Sequence, residues 1–138
     1  MRKYAKKSVS RLASCPVANL IGMRLIKGSR GRAVCDMTAA SKHLNPLGMV
    51  HGGILSYLAD ATMGFAFVSQ LPTEQAGVAT NLHISFMRSA MPGDRLRATA
   101  KTLSHGRTIY FMECVIRNGA GKIVAKATST CKVLSEKT

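Results

Sequence analysis

The sequence predicts an α+β domain in which one buried helix lies against an antiparallel sheet of about six strands. Three observations carry this expectation. Four segments in the second half alternate between apolar and polar residues with period two, as half-buried strands do. The punctuation between them is short, Pro92-Gly93-Asp94, His105-Gly106-Arg107 and Asn118-Gly119-Ala120-Gly121, which implies antiparallel neighbours. Only one segment of the body, from Gly53 to about Ser69, is long and continuous enough for a helix, and Pro72 stops it.

The elements follow in chain order. Ile21 to Ile26 and Arg32 to Thr38, separated by Lys27-Gly28-Ser29-Arg30-Gly31, read as a hairpin. The helix comes next. It is apolar almost all round, so it should be buried rather than lie on a surface. In the strand after it, Val78, Thr80, Leu82, Ile84 and Phe86 point one way and Ala79, Asn81, His83 and Ser85 the other. Leu96, Ala98 and Ala100 alternate with Arg95, Arg97, Thr99 and Lys101, while Ile123, Ala125 and Ala127 alternate with Lys122, Val124 and Lys126. Between Thr108 and Arg117 the residues are apolar on both sides apart from Glu113, as expected of a strand near the middle of a sheet.

A chain of 138 residues has room for one core. Residues 1–17 form a basic N-terminal segment whose composition allows a helix, and 18–138 form the domain. The basic, acid-free start suits either an organellar transit peptide or a solvated tail, and no apolar stretch follows that would make a secretory signal. Cytoplasm is the default expectation. The longest uncharged stretch, Leu44 to Ala59, contains Asn, Pro, paired Gly and His, which excludes a membrane span and so membrane insertion. The four cysteines show no CxxC pair and no zinc-ligand spacing, so no metal and no cofactor is expected. A formal net charge of +14 favours anionic partners. It does not make a nucleic-acid reader: zinc-finger, RNP and KH patterns are lacking and stacking aromatics are scarce, so no specific nucleic-acid partner is expected.

Two places carry chemistry. The loop Asn45-Pro46-Leu47-Gly48-Met49-Val50-His51-Gly52-Gly53 runs into the helix, whose first N–H groups and dipole can stabilise a developing oxyanion. The second is Asp60. Of the six acids Asp36, Asp60, Glu74, Asp94, Glu113 and Glu136, it alone falls inside the apolar helix, where a charge is expensive. On that helix it shares a face with Ser56, Met63 and Gly64, and Gly64 leaves room beside it. Gly53 and Asp60 are seven residues apart. At 1.5 Å per residue that is about 10 Å. Contact with one reacting carbon needs about 3 Å from each group, so joint action requires two subunits.

The run from Asn45 through Asp60 to Gly64 resembles the signature of PaaI-like hotdog-fold acyl-CoA thioesterases, Asn-x-x-Gly-x-x-His-Gly-Gly followed by Asp within the helix. Phe86 to Ala100, His105 to Thr108 and Gly121 to Thr130 are similar to the strands and turns of that family as well, so the likeness covers most of the chain from about residue 18. It implies a hotdog thioesterase domain with sheets paired across a dimer, or a dimer of dimers, a homotetramer that hydrolyses acyl-CoA without metal. By the same resemblance Asn45 positions carbonyl or water, the Gly52 and Gly53 amides polarise the carbonyl, and Asp60 of the partner subunit attacks or activates water. His51 supports the loop. Thr80 is the counterpart of a hydroxyl residue that some relatives carry in the strand after the helix. The family's usual Arg-Pro is Arg88-Ser89 here. Arg88 and Arg107, with Arg95, Arg97 and Lys101, are the candidate contacts for CoA phosphates, and Arg107 in its turn ranks first.

Two other functions fit parts of the pattern. A noncatalytic module of this fold binding acyl-CoA or an acidic acyl-carrier protein would explain the charge, but needs no carboxylate beside a carbonyl. A hotdog dehydratase or hydratase would need an acid/base pair placed for proton transfer.

Overall fold

The computed structural model describes residues 15–72 and 75–134, so the basic N-terminal segment, apart from its last three residues, lies outside the described residues. Helix α1 (Pro16–Ile21) is followed by β1 (Arg24–Ser29), β2 (Arg32–Thr38), a 3-10 turn (Ser41–His43), α2 (Gly52–Val68), β3 (Gly77–Phe86), β4 (Arg95–His105), β5 (Ile109–Arg117) and β6 (Ile123–Val133). Proline at the start of α1 and Gly22 after it, at φ 75°, set the limits of that short helix. Ala18 and Ile21 anchor it in the core.

All six strands form one antiparallel sheet in the order β1-β2-β4-β5-β6-β3. The connection from β2 to β3 crosses the sheet through α2, which touches every strand. Along α2, Leu58, Ala59, Thr62, Met63 and Ala66 are fully buried. They face a floor of small side chains, Ala33 and Cys35 of β2, Ala98 and Ala100 of β4, Cys114 of β5, and Ala125 and Ala127 of β6. The hydroxyl of Thr62 donates to the Leu58 carbonyl at 2.6 Å, so its burial leaves no unmet hydrogen bond.

Two expectations about strand faces need correction. In β5 the face of Tyr110, Met112, Cys114 and Ile116 is buried, but Phe111 on the other face is 49% exposed. The strand is central within the sheet, yet α2 covers only one side of it. In β3 the alternation breaks: Ala79 pairs with Cys131 and Asn81 with Thr130, so Thr80 and Asn81 together oppose one residue of β6. The Thr80 hydroxyl donates to the Thr130 carbonyl, and the Asn81 side-chain oxygen accepts from the Thr130 N–H. Gly77 and Ala79 therefore join Leu82 and Ile84 on the helix side, where unbroken period two would place Val78 and Thr80.

Phe67, near the C-terminal end of α2, meets Tyr110 edge to face at 5.0 Å. A β-carbon on Gly77 would run into the Phe67 ring and the Lys132 carbonyl. Because Phe67 is buried and the carbonyl belongs to the β6 ladder, neither yields readily. Gly77→Ala should therefore lower the unfolding free energy by about 1–3 kcal/mol, read from urea denaturation. An unchanged midpoint would mean that Phe67 moves aside freely.

Candidate active site

Asp60 and the start of its helix are the two candidate chemical centres, and different local structures build them. Leu44 and Val50 form a bridge that closes the loop between them. Within it, the Gly48 N–H donates to the Asn45 carbonyl at 3.0 Å and the Asn45 N–H to the Met49 carbonyl at 2.7 Å. Gly48, at φ 80°, supplies the left-handed conformation this turn requires. The Asn45 side-chain oxygen accepts from the Leu47 and Met49 N–H groups at 2.9 and 3.2 Å. That leaves its NH2 group as the one to meet a ligand.

His51 is the N-cap of α2, and its Nδ1 accepts from the Gly53 N–H at 3.0 Å. The Gly53 amide is thus engaged within the chain, and the Gly52 N–H remains open at the helix start among the described residues. Gly52 also permits the close approach of β3, since a β-carbon there would lie 2.9 Å from the Phe86 ring. The sequence gives both glycines one role, whereas the structure separates them.

Asp60 sits one turn before Gly64, and together they border a cavity of about 220 Å³ with Ala61, Phe65, Phe67, Val68, Gly77, Ala79 and Cys131. Apart from the carboxylate its walls are almost wholly apolar. Burial pushes the Asp60 carboxyl above the usual carboxylate range. Ser56 does not relieve it, because its hydroxyl donates to the Gly52 carbonyl at 2.8 Å. The other described acids all have partners. Asp36 accepts two bonds from Arg97 at 2.7 Å, Asp94 accepts from the Met91 N–H, and Glu113 lies 2.9 Å from Lys126 and 3.7 Å from Lys101. Among the described residues Asp60 alone has none. No group of three or more His, Cys, Asp or Glu is placed to hold a metal, and no helix is long and apolar enough to cross a membrane, again among the described residues.

The remaining predicted residues fall in different places. Arg88 donates to the Ile123 carbonyl at 3.0 Å, at the end of the sheet where α2 begins. Arg107 lies exposed in the β4–β5 turn at the opposite end, beside His105 stacked on Tyr110 at 4.5 Å. Thr80, engaged with Thr130, does not line the Asp60 cavity, and Ala79 takes that place. Within one protomer the structure does not bring Asn45, His51, Gly52 and Gly53 to Asp60.

Residues 47–125, more than half of the chain, match the family model described as the thioesterase superfamily. The chain belongs to the thioesterase superfamily. It is 35% identical over 108 residues to the acyl-coenzyme A thioesterase PaaI of Escherichia coli, covering 78% of this chain and 75% of that one. The solved structure of E. coli PaaI superposes with a TM-score of 0.88 at 29% identity, over 96% of this chain and 94% of that chain. Human acyl-coenzyme A thioesterase 13 is 30% identical over 109 residues, 77% of this chain and 76% of its own. A hypothetical thioesterase from Streptococcus pneumoniae, solved with coenzyme A, superposes with a TM-score of 0.76 at 28% identity, over 84% and 88% of the two chains. The fold is accordingly the hotdog fold, and the PaaI-like resemblance read from the Asn45–Gly64 signature holds.

Membership in this superfamily does not by itself identify the residues around Asp60. Gly77 and Ala79 reach its cavity only because the β3 bulge turns the start of that strand over, and strict alternation hides this.

The unpartnered carboxylate has a consequence for stability. A folded-state pKa raised above the unfolded value means that the folded chain holds its proton more tightly. Stability therefore falls as pH rises from the ordinary aspartate value, 3.8, through the raised one. Asp60→Asn, which has no charge to bury, should melt at a higher temperature than wild type at pH 7, and the gap should close below pH 3.8. Calorimetry across that range checks it; a variant less stable at pH 7 would reveal a partner for the carboxylate.

Proposed function

We propose that the protein is an acyl-CoA thioesterase that hydrolyses an acyl-CoA thioester to free acid and CoA, with Asp60 as general base. The unpartnered, half-buried carboxylate beside an apolar cavity supports this reading best. Burial makes the carboxylate a stronger base than a solvated one, and the cavity offers the acyl group an apolar neighbour. Asp60 takes a proton from water as the water oxygen attacks the thioester carbon. The carbonyl oxygen becomes an oxyanion against the start of α2, where the Gly52 N–H and the helix dipole stabilise it. Collapse of the tetrahedral intermediate breaks the C–S bond and releases the CoA thiolate. Asn45 orients carbonyl or water through its NH2 group, His51 fixes the loop, and Arg107 meets a CoA phosphate. Direct attack by Asp60 is the alternative route, and single turnover in heavy-oxygen water distinguishes it by labelling the enzyme.

The working unit in this proposal is an oligomer. Helix α2 is unbroken from Gly52 to Val68, so about 10 Å separates Gly53 from Asp60 along it. The helix start of one protomer and Asp60 of its partner therefore make each site. Strand β3, at the sheet edge, carries Val78 47% and Phe86 54% exposed, with Met87 54% exposed beside it. Pairing of β3 with its copy satisfies that edge. Exposed Leu103 and Phe111 offer a second apolar contact for a dimer of dimers. A noncatalytic acyl-CoA or acyl-carrier-protein binder would have no use for the cost of Asp60.

Asp60→Asn should lower thioester turnover at least about a hundredfold while acyl-CoA binding survives. Near-normal turnover in the folded variant removes Asp60 from the mechanism. A heterodimer of an Asp60→Asn chain with an Asn45→Ala chain tests the shared site. One of its two sites then receives native Asn45 and native Asp60 from different chains, so activity should return to about half that of wild type. An inactive heterodimer of folded parents would place both groups within one chain.

A further inference from the structure

At the end of the sheet where α2 begins, a cleft of about 620 Å³ opens between α1, the Ser41–His43 turn and the ends of β1, β2 and β4, with Asn118 and Gly119 at its rim. It is distinct from the Asp60 cavity and shares no residue with it. Strand register gathers charge there: Arg24 pairs with Asp36, Asp36 with Arg97, and Thr38 with Arg95. Lys42 adds a fourth cation from the 3-10 turn. The single carboxylate is already committed, since Asp36 accepts both bonds from Arg97. Register sets Arg24 and Arg97 directly opposite Asp36 and Arg95 one diagonal step away, and its pKa is lowered first by the Arg97 hydrogen bond and further by the charges of these three.

Arg24, Lys42 and Arg95 have no ion-pair partner among the described residues. Like charges held together by a strand ladder repel at a standing cost that a bound anion would relieve. One wall is also rigid. His43 is buried, its Nδ1 accepts from the Ala40 N–H and its Nε2 donates to the Ile21 carbonyl. Concave shape, a volume suited to a small ligand and unpaired cations together describe a pocket for a compact polyanion. No Phe, Tyr or Trp lines it, and the ring of His43 is buried and bonded at both nitrogens, so it offers no stacking platform to a nucleic-acid strand.

We infer that this cleft binds a phosphate-bearing small molecule through Arg24, Lys42 and Arg95, while Asp36 holds Arg97 in place at its side. The phosphates could be those of CoA's own nucleotide end or of a free nucleotide. Either occupant would be coupled to the helix start, because the His51 N–H donates to the His43 carbonyl at 2.8 Å. The inference does not rest on hydrolysis, and its test reads binding alone before any turnover is measured.

Inorganic pyrophosphate is the probe, titrated calorimetrically into the full chain at fixed ionic strength. Arg24→Gln/Arg95→Gln should weaken its binding at least about tenfold, and Lys42→Gln about threefold should the double variant fail to fold. Arg30→Gln/Lys132→Gln, which removes the same charge elsewhere on the surface, should leave it unchanged. Desulfo-CoA then separates the two sources. Competition with pyrophosphate, and loss of desulfo-CoA affinity in the cleft variants, assigns the cleft to CoA's nucleotide; simultaneous binding assigns it to a free phosphate compound. Equal pyrophosphate affinity in wild type and the cleft variants, or an equal loss in the surface control, overturns the site.

Discussion

Helix α2 packs closely on the sheet because the strands present small side chains between the larger Met37, Leu96, Met112 and Ile116 of the same face. Ala33, Ala98, Ala100, Ala125 and Ala127 are each 3% exposed or less, and they leave space for Leu58, Met63 and Phe67 to fill. Large residues on both surfaces would force the helix away and leave voids whose lining loses its dispersion contacts. The tight fit gives the molecule its rigidity. It also puts both candidate chemical groups on one core helix, since the N-cap and Asp60 belong to the same packed rod.

That double use sets the geometry of the chemistry. A group on a packed helix cannot drift towards another group two turns away, so the separation of the helix start from Asp60 is a fixed dimension. The loop before the helix is constrained in the same way, with Asn45 bonded to Leu47 and Met49, and His51 to Gly53 and His43. Such loops hold a donor where charge will develop and need little reorganisation during reaction.

The parts of the fold written in local pattern were legible in the sequence. Helix α2 was visible from its apolar run and Pro72, the β4–β5 and β5–β6 hairpins from their turns, and Asp60 from the expense of its position; the first hairpin was placed too early, since Ile21 ends α1 and Lys27 to Ser29, read as turn, belong to β1. What stayed hidden depended on pairing between distant residues. At the Thr80–Asn81 bulge Thr130 of β6 is bonded by two side chains at once, and no local signal announces it. The same holds for Asp36: it reads as a bland strand residue until register places Arg24 and Arg97 on either side. Both glycines at the helix start were expected, but the engagement of the Gly53 amide by the His51 ring follows from a rotamer, which sequence does not encode directly.

Asp60 has one further implication, for descent. A half-buried carboxylate with no partner among the described residues makes no bond that substitution to a neutral residue of similar size would break. Once a lineage ceased to need the chemistry proposed for it, the residue would be free to change without loss of a native bond. Binding proteins on this scaffold could therefore arise from enzymes by a single amino-acid replacement, without passing through an unstable intermediate.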